Sequence, residues 1–539
     1  MAQNVSRRNF LMGTGLMGMG LVGAGLAGCS QPQQASSLAS TAESVEDEDW
    51  LGAAPGTKPE DCASTIETDV LVIGAGIAGS MCAYGAVREG SKVLVVDKHT
   101  TPHCGGGCVS FVNSKYQRSQ GVQEYDPLKL AYQLFNECQS RPDMELIMSW
   151  AFESGDILDE LLETVCDPYG VPYMVKMESF DPEYELQANY NTGISFNDLN
   201  NDSLLLLIEG VQKYLVDNGV DLRFGVKGEE LVQDEAGRVV GAIITDENGE
   251  KVYVAASKGV MVCTGSYGAN EKMVKEFYSP TMQRLWSECN IYNSYYTPES
   301  APTEPVDTGD GHKMMCWAGA QMEETTHPYC GWPLGGALGS PYLAVNQMGQ
   351  RYYNEAVYML NSLPQFLEQP NQKGLYTWQI VSNEETPMPN VAGVPEGVLE
   401  QFIANGETYT ADTLEELAAQ IDVEPEVLTA TVERYNELCE TGFDEDFGKH
   451  KEFMIPVKTP PFKAVRVTYG IAVTLGGVKT NRNMQVLDEN SNPIPGLYAV
   501  GNTAGRRFGW AYQNRHNAMT NTFSLVHGYI AGHACGKEA

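Results

Sequence analysis

Gly74, Gly76 and Gly79 stand at intervals of two and three in TDVLVIGAGIAG, and an acid, Asp97, follows 23 residues after the first of them. Glycines so spaced permit a tight turn, a close approach of backbone to an anion and close packing of a helix on a strand. A carboxylate at that distance meets a ribose hydroxyl. The chemistry is dinucleotide binding, with a pyrophosphate held against the unpaired N–H groups that open a helix.

The segment can do this only as strand, turn, helix and strand. Thr68 to Ile73 is a short β-branched run, SMCAYGAVREG predicts a helix ending at Gly90, and SKVLVVDK predicts a second strand ending on Asp97. The βαβ fingerprint, with Gly74, Ala75, Gly76, Ala78 and Gly79 in its turn, is therefore complete, but it does not separate nicotinamide from flavin cofactors. Two later apolar runs also end on small residues, GVMVCTGSYGAN (259–270) at Thr264-Gly265 and NPIPGLYAVGNTAG (492–505) at Gly501-Asn502. Residues 228–258 alternate around Gly and Asn-Gly turns and predict a small β-meander. Leu414, Leu417, Ala418 and Ile421, then Leu428, Val432, Tyr435 and Leu438, recur at helical spacing and predict two amphipathic helices.

Composition narrows the function further. The chain has 70 acidic and 35 basic residues, a net charge of −35, which argues against a nucleic-acid partner. Such a surface suits docking to a basic electron-transfer protein. None of the 13 cysteines lies in a haem-attachment or paired zinc pattern, so no metal is expected and electrons must come from elsewhere. At 539 residues the chain is too long for one simple core, and two or more lobes are expected.

The N-terminus reads as a processing signal. Leu11 to Gly28 is uncharged and Gly-rich, yet short of the roughly 20 predominantly apolar residues that a spanning helix needs. Ser6-Arg7-Arg8-Asn9-Phe10-Leu11 resembles the twin-arginine export signature, and Leu26-Ala27-Gly28-Cys29 resembles a lipobox. The resemblance implies a signal peptide over 1–28, a lipid on Cys29, a flexible tether to residue 65 and a folded body held at the outer face of a bacterial cytoplasmic membrane. A chain that binds its dinucleotide before export has to cross folded, which is what the twin-arginine route accepts.

With Cys104-Gly105-Gly106-Gly107-Cys108, DTGDGHKM (307–314), GQRYYNE (349–355) and TLGGVKT (474–480), these segments fall in an order that resembles the flavin domain of the fumarate reductase and 3-ketosteroid dehydrogenase superfamily. The resemblance runs over roughly residues 66–537. It implies an α/β fold in which a discontinuous Rossmann-like FAD-binding domain, residues 66–323 and 473–539, receives an inserted α+β clamp domain over 324–472. It also implies non-covalent FAD as the only dinucleotide, since there is no second fingerprint. FAD contacts are implied at the fingerprint residues, Asp97, Lys98, Gly105, Gly106, Gly107, Val226, Thr264, Gly265, Asp310, Gly501, Asn502, Asn517, Ala518 and Met519. His99 or His103 would be needed for covalent attachment near the glycine cluster.

The same resemblance implies hydride transfer between flavin and a C=C bond polarised by a carbonyl or carboxylate, with a proton exchanged at the adjacent carbon. His327 matches the histidine at the clamp entry that contacts a substrate carboxylate, and Asn354-Glu355 matches a pair near the substrate. Three departures stand out. Tyr358 replaces a relay arginine, Val473 replaces the histidine that holds a second carboxylate, and LYTWQIVSNEE (375–385) has no proton-donating arginine. Fumarate is thereby disfavoured against monocarboxylate enoates, aryl acrylates or enones.

Asn514-Arg515 with Asn517-Ala518-Met519-Thr520 resembles the fumarate reductase segment that clamps a carboxylate. Tyr512, four residues before His516, resembles the tyrosine that polarises a ketone in the ketosteroid enzymes. Arg515 is expected to anchor the anion or carbonyl, and Tyr512 or Tyr358 to donate the proton; a tyrosine, ordinarily near pKa 10, needs neighbours that ease its ionisation. The electron donor is expected to be a separate membrane cytochrome or quinol-linked protein. A ketosteroid-type dehydrogenase working oxidatively and a flavin electron-carrier lipoprotein remain the alternatives.

Overall fold

An apolar run such as Val70 to Ile73 is what a strand buried on both faces requires. The computed structural model describes residues 49–176, 190–196, 204–288, 306–334, 342–357, 362–370, 372–382, 408–510, 512, 516 and 518–538. In it the run forms the second half of β1 (Ser64–Ile73), with Val70, Leu71 and Val72 fully buried. After α1 (Ile77–Arg88) comes β2 (Val93–Asp97), parallel to β1 with Val70 opposite Val93. The helix thus ends two residues before the expected Gly90, which takes a left-handed φ of 77° in the turn.

The chain then builds α2 (Met144–Leu161), which packs against the last helix, followed by β3 (Asp221–Phe224), β4 (Lys227–Gln233), β5 (Val239–Thr245) and β6 (Lys251–Val262). The meander and the run ending at Thr264 were expected as separate strands, but β6 is one continuous strand serving both. Lys251 to Ala255 pair antiparallel with β5, while β6 also runs parallel to β1 through to Val262. A register shift between Thr68 and Val70 lets β1 follow it over that length.

Beyond α3 (Asp310–Trp317) the chain leaves this sheet for a second one of five strands: β7 (Tyr329–Leu334), β8 (Leu343–Val345), β9 (Thr377–Val381), β10 (Thr408–Ala411) and β11 (Phe462–Thr474). β11 is long enough to pair antiparallel with β9 and β10 through its first half and with β7 through its second. The two predicted amphipathic helices are α4 (Leu414–Gln420) and α5 (Pro425–Thr441). Their apolar faces cover this sheet, and Leu417, Leu428, Val432 and Tyr435 share an apolar core with Val345, Ile380 and Ala464.

The return is short. β12 (Gln485–Leu487) and β13 (Pro493–Ala499) complete the eight-stranded sheet in the order β12-β13-β6-β1-β2-β3, with β5 and β4 extending from β6. The last helix, α6 (Met519–Gly536), lies along α1. At the other end, residues 49–63 lie against the body: the Trp50 ring meets Phe277 edge-on at 5.0 Å, and the Gly56 and Thr57 N–H groups donate to Glu230 at 2.9 and 2.8 Å. Residues 1–48, which hold the expected signal segment and Cys29, lie outside the described residues. Among the described residues no helix is long and apolar enough to cross a membrane.

Gly79 shows how tightly the first turn is built, because a Cβ there would overlap the Gly74 carbonyl oxygen. We expect Gly79→Ala to destabilise the protein by about 2 kcal/mol or more, read as a lower denaturant midpoint, because backbone cannot yield as a side chain can.

Candidate active site

β1, β6 and β13 end side by side: Cys263 N–H donates to Ile73 O (2.8 Å) and Val500 N–H to Val262 O (3.1 Å). In an open parallel sheet this edge is where ligands bind. Two helices start there without a side-chain cap, α1 from Gly76 and α6 from Ala518, which adopts a left-handed φ of 49°. Each therefore turns a positive helix end toward an anion, and at α6 the Thr520 N–H is already donated to the Tyr512 hydroxyl.

The two ends are staggered. Close glycine contacts hold the helices parallel, with Gly528 against Ala78 and Met81, and Gly532 against Cys82 and Ala86. α6 thus begins about eight residues, or roughly 12 Å, before the level at which α1 begins. An extended dinucleotide would meet one positive end with its phosphates and the other with the electron-rich edge of its ring.

Two glycines test that fit. Gly74 needs its glycine for the chain's own sake, with φ at 106° and Cβ room taken by the Cys263 carbonyl. Gly76 does not: its φ is −66°, and a Cβ there would meet nothing within 4 Å. Gly105 is the same, with open space around its Cβ position. Glycine at these two positions is explained by a group that comes up against the backbone, as FAD would.

The structure brings the remaining described cofactor candidates into contact with these turns and with one another. Asp97 Oδ2 accepts the Ala75 N–H at 2.6 Å and Oδ1 accepts from His99 N at 2.8 Å and Nδ1 at 2.9 Å. Burial raises the Asp97 carboxyl, but the bonds from His99 and the Ala75 N–H outweigh it and hold the group below its ordinary value. The His99 and His103 rings lie beside it with centroids 3.5 Å apart and planes tilted by 33°, and the three side chains bring donor atoms within 4.8 Å of one another. Val226 N–H donates to Asp97 O (2.8 Å). Lys98 Nζ reaches Thr308 Oγ1 (3.2 Å) and Asp310 Oδ2 (3.6 Å).

On the far side, the Gly105–Gly107 turn faces α6, with Asn521 Nδ2 donating to Gly105 O (3.2 Å). Thr264 packs against Gly311 at the start of α3, and Gly265 takes a φ of 81°. Gly501 has a φ of 77° and packs on Ala78; Asn502 Oδ1 accepts from Arg507 (3.2 Å); Met519 is buried. Asn517 lies outside the described residues.

The candidates for the chemistry separate into three groups. His327 is wholly buried and stacked on Phe277, with centroids 4.3 Å apart at 6°. Its Nδ1 accepts from the Tyr267 hydroxyl (2.6 Å) and its Nε2–H meets Glu323 O (3.1 Å). Burial pushes the imidazole down to about 3, so it is neutral, and its ring fills the space a Cβ at Gly476 would need. Tyr267 N–H also donates to Thr474 Oγ1 (3.0 Å), tying the loop after β6 to the end of β11.

Glu355 sits elsewhere, in the core of the second lobe. Its two oxygens accept from Arg351 Nε and Nη2 (both 2.9 Å) and lie 3.2 Å from Lys449 Nζ. Asp444 takes the other side of Arg351 at 2.8 and 3.0 Å. Burial alone would raise Glu355, but Lys449 and Arg351 hold it below its ordinary range. Asn354 Oδ1 caps the adjoining turn by accepting from Ala356 N–H (2.9 Å).

The third group is the segment before α6. Tyr512 is buried on Phe508, its N–H donates to Tyr329 O (3.2 Å), and its hydroxyl oxygen accepts from Thr520 N–H (3.4 Å) at the start of α6. His516 is buried, stacked on Tyr190 at 4.8 Å and edge-on to Trp150 at 4.7 Å. Arg515 and Tyr358 lie outside the described residues. Val473 is partly exposed and stands opposite Cys330 in the β7–β11 pair.

Sequence reasoning passed over Tyr267, Glu323 and His312. His312 is wholly buried against the backbone of Gly476 and Asn502, and burial pushes it down to about 4. It lay inside the motif DTGDGHKM, where only Asp310 drew attention; nothing in local spacing marks a residue whose partners are 164 and 190 positions away (476 − 312 and 502 − 312).

The comparisons agree with this geometry. The family model described as FAD binding domain matches residues 69–518, and the chain belongs to that family. It is 28% identical over 489 residues to the probable fumarate reductase Ifc3 of Shewanella frigidimarina, covering 88% of this chain and 75% of that one. It is 24% identical to the urocanate reductase of Eggerthella lenta (92% and 79% covered) and 26% identical to the vinyl phenol reductase of Lactiplantibacillus plantarum (82% and 91%). Among solved structures it is similar to the open conformation of a flavocytochrome c3 fumarate reductase, with TM-score 0.65, 26% identity and 88% and 78% of the two chains covered. A 3-ketosteroid-Δ4-(5α)-dehydrogenase from Rhodococcus jostii shares the fold at TM-score 0.67 and 23% identity, over 88% and 97% of the chains. The protein is an FAD-dependent oxidoreductase.

Gly76→Ala separates cofactor binding from folding. The apoprotein is expected to keep its thermal midpoint, because the new methyl meets no protein atom, while FAD affinity falls by at least about tenfold in a fluorescence titration.

Proposed function

We propose that the protein reduces an activated C=C bond whose polarising group is a single carboxylate or a ketone, and that it does so after export, anchored through Cys29. The observation that carries the substrate reading is the state of His327: buried, neutral and bonded at both ring nitrogens. With Val473 at the other position associated with a dicarboxylate, neither of these two residues offers a cation to a second carboxylate. The reductive direction is supported by the relatives named above, which are reductases of fumarate, urocanate and vinyl phenol.

FAD, when bound, supplies the hydride. The chain supplies the rest. Arg515 anchors the carboxylate or carbonyl and withdraws charge from the double bond. Tyr512 donates the proton; its oxygen sits at the positive end of α6 through Thr520 N–H, which stabilises the charge left behind. Tyr358 is the alternative donor. The acidic surface would receive a basic electron donor, a cytochrome or quinol-linked protein.

The test is anaerobic, with protein lacking residues 1–29, reduced viologen as donor, and fumarate, aryl acrylates, short enoates and steroid enones as acceptors. Dye oxidation by a monocarboxylate enoate or an enone is expected, with fumarate silent, and Tyr512→Phe should slow turnover by about 10²-fold or more. Rapid fumarate turnover would overturn the reading of His327 and Val473. Oxidation of a saturated ketone by an artificial acceptor, without any reductive turnover, would assign the dehydrogenase direction instead.

A further inference from the structure

Three segments far apart in sequence meet at one buried carboxyl. Met322 and Val478 form an antiparallel bridge and Val478 and Ala504 a parallel one. Beside these bridges, Glu323 N–H donates to Gly477 O (2.9 Å) and Glu323 Oε2 accepts the Arg506 N–H (2.9 Å). The Glu323 side chain is wholly shielded from solvent, 3.9 Å from Arg141 Nη2. A Cβ at Gly505 would press on it at 3.1 Å. Arg141, in the turn before α2, also donates to Thr326 O (2.7 Å) and Gly509 O (3.2 Å) and stacks on Trp510 at 4.3 Å.

One joint therefore holds the Gly476–Gly477 turn, the crossover at residues 323–327 and the segment that leads to Tyr512. We propose that Glu323 is a positioning residue for the reduction, a buried carboxyl whose charge sets how firmly the Gly476–Gly477 turn and the Arg506–Tyr512 segment are held together. Its role in reduction rests on the function proposed above; the joint itself does not.

The charge is placed to change within the working range. Burial pushes the Glu323 carboxyl up to about 7, against the pull of Arg141, the Arg506 N–H, Arg507 and the Gly477 N–H. The other charged or titratable groups around it are accounted for. Arg507 donates to Ala504 O (2.9 Å) and Asn502 Oδ1 (3.2 Å), His327 is neutral, and Glu324 is paired with Lys479.

The sign follows. A carboxyl raised above its ordinary value of about 4.3 favours the fold fully below that value and loses this contribution as pH rises through about 7. The joint follows the same sign, because opening it returns the carboxyl to water and to its ordinary value, so ionisation favours opening in spite of the Arg506 N–H and Arg141. The joint should loosen as the fold gives up this contribution.

The experiment titrates the FAD-loaded protein from about pH 6 to about pH 9 with two readouts that need no substrate. Infrared difference spectra follow the C=O stretch of a protonated carboxylic acid. Amide hydrogen exchange, corrected for its intrinsic pH dependence, follows residues 474–480 and 504–510. The wild type is expected to lose the C=O band with a midpoint near 7 and to lose protection in both segments over the same range. Glu323→Gln should abolish both changes, and Arg141→Met, which removes the nearest cation, should move both midpoints upward.

A C=O change that survives in Glu323→Gln, or protection that stays flat while the band titrates, would overturn the proposal. If Glu323→Gln does not fold, the Arg141→Met shift decides. With an acceptor from the viologen panel, the same ionisation should appear in KM more than in kcat and vanish in Glu323→Gln; its absence from both overturns the positioning role. Should no acceptor turn over while the two physical readouts behave as expected, it is the proposed function that fails.

Discussion

The close parallel packing of α1 on α6 is the constraint on which the cofactor cradle depends. Gly85, Gly528 and Gly532 let the two backbones approach where any side chain would strike a carbonyl or amide of the opposite helix. Those contacts fix the stagger of two uncapped N-termini, and the stagger decides where phosphates and ring can lie. A helix pair held apart by ordinary side chains would keep its stability and lose that alignment. Small residues here are chosen for geometry, since they sacrifice apolar contact area that larger side chains would bury.

The second lobe solves a different problem. Arg351, Glu355, Asp444 and Lys449 form a closed set of two cations and two anions, with Glu355 and Lys449 fully shielded from water. Each charge has a partner of opposite sign, so the desolvation cost is offset, though the set as a whole need not stabilise the lobe more than apolar residues would. Its value is specificity of arrangement, since removing any one member strands another. Around Gly476 the site uses the opposite means. Two histidines are kept neutral by burial, and they position backbone through ring shape and hydrogen bonds, with no net charge brought near the flavin-binding edge.

Much of this was legible in the sequence because it is local. The fingerprint, the meander and the two amphipathic helices depend on residues within a few turns of one another, and each stands where periodicity placed it. The continuity of β6 was not legible, because the join between its halves depends on how β1 shifts register beside it. The cofactor side of the site could be read from glycines, whose reason is backbone geometry. The chemical side could not: His327 in a list of residues looks available to a ligand, and only packing shows that Phe277, Tyr267 and Glu323 already occupy it. Arg141, Glu323 and His312 carry no local signature, since their partners come from segments brought together only by the completed fold.

The continuity of β6 also bears on the order in which the molecule can be made. Its flanks are β1, complete by residue 73, and β13, which begins at residue 493. During synthesis the fingerprint therefore emerges first and waits for most of the chain before the strand that closes the sheet, and then α6, can arrive. Until then β6 presents an open edge, the kind of surface that invites wrong pairing in a long chain. The cradle thus joins a turn near the start of the folded body to a helix near its end, and it is complete only when both are in place.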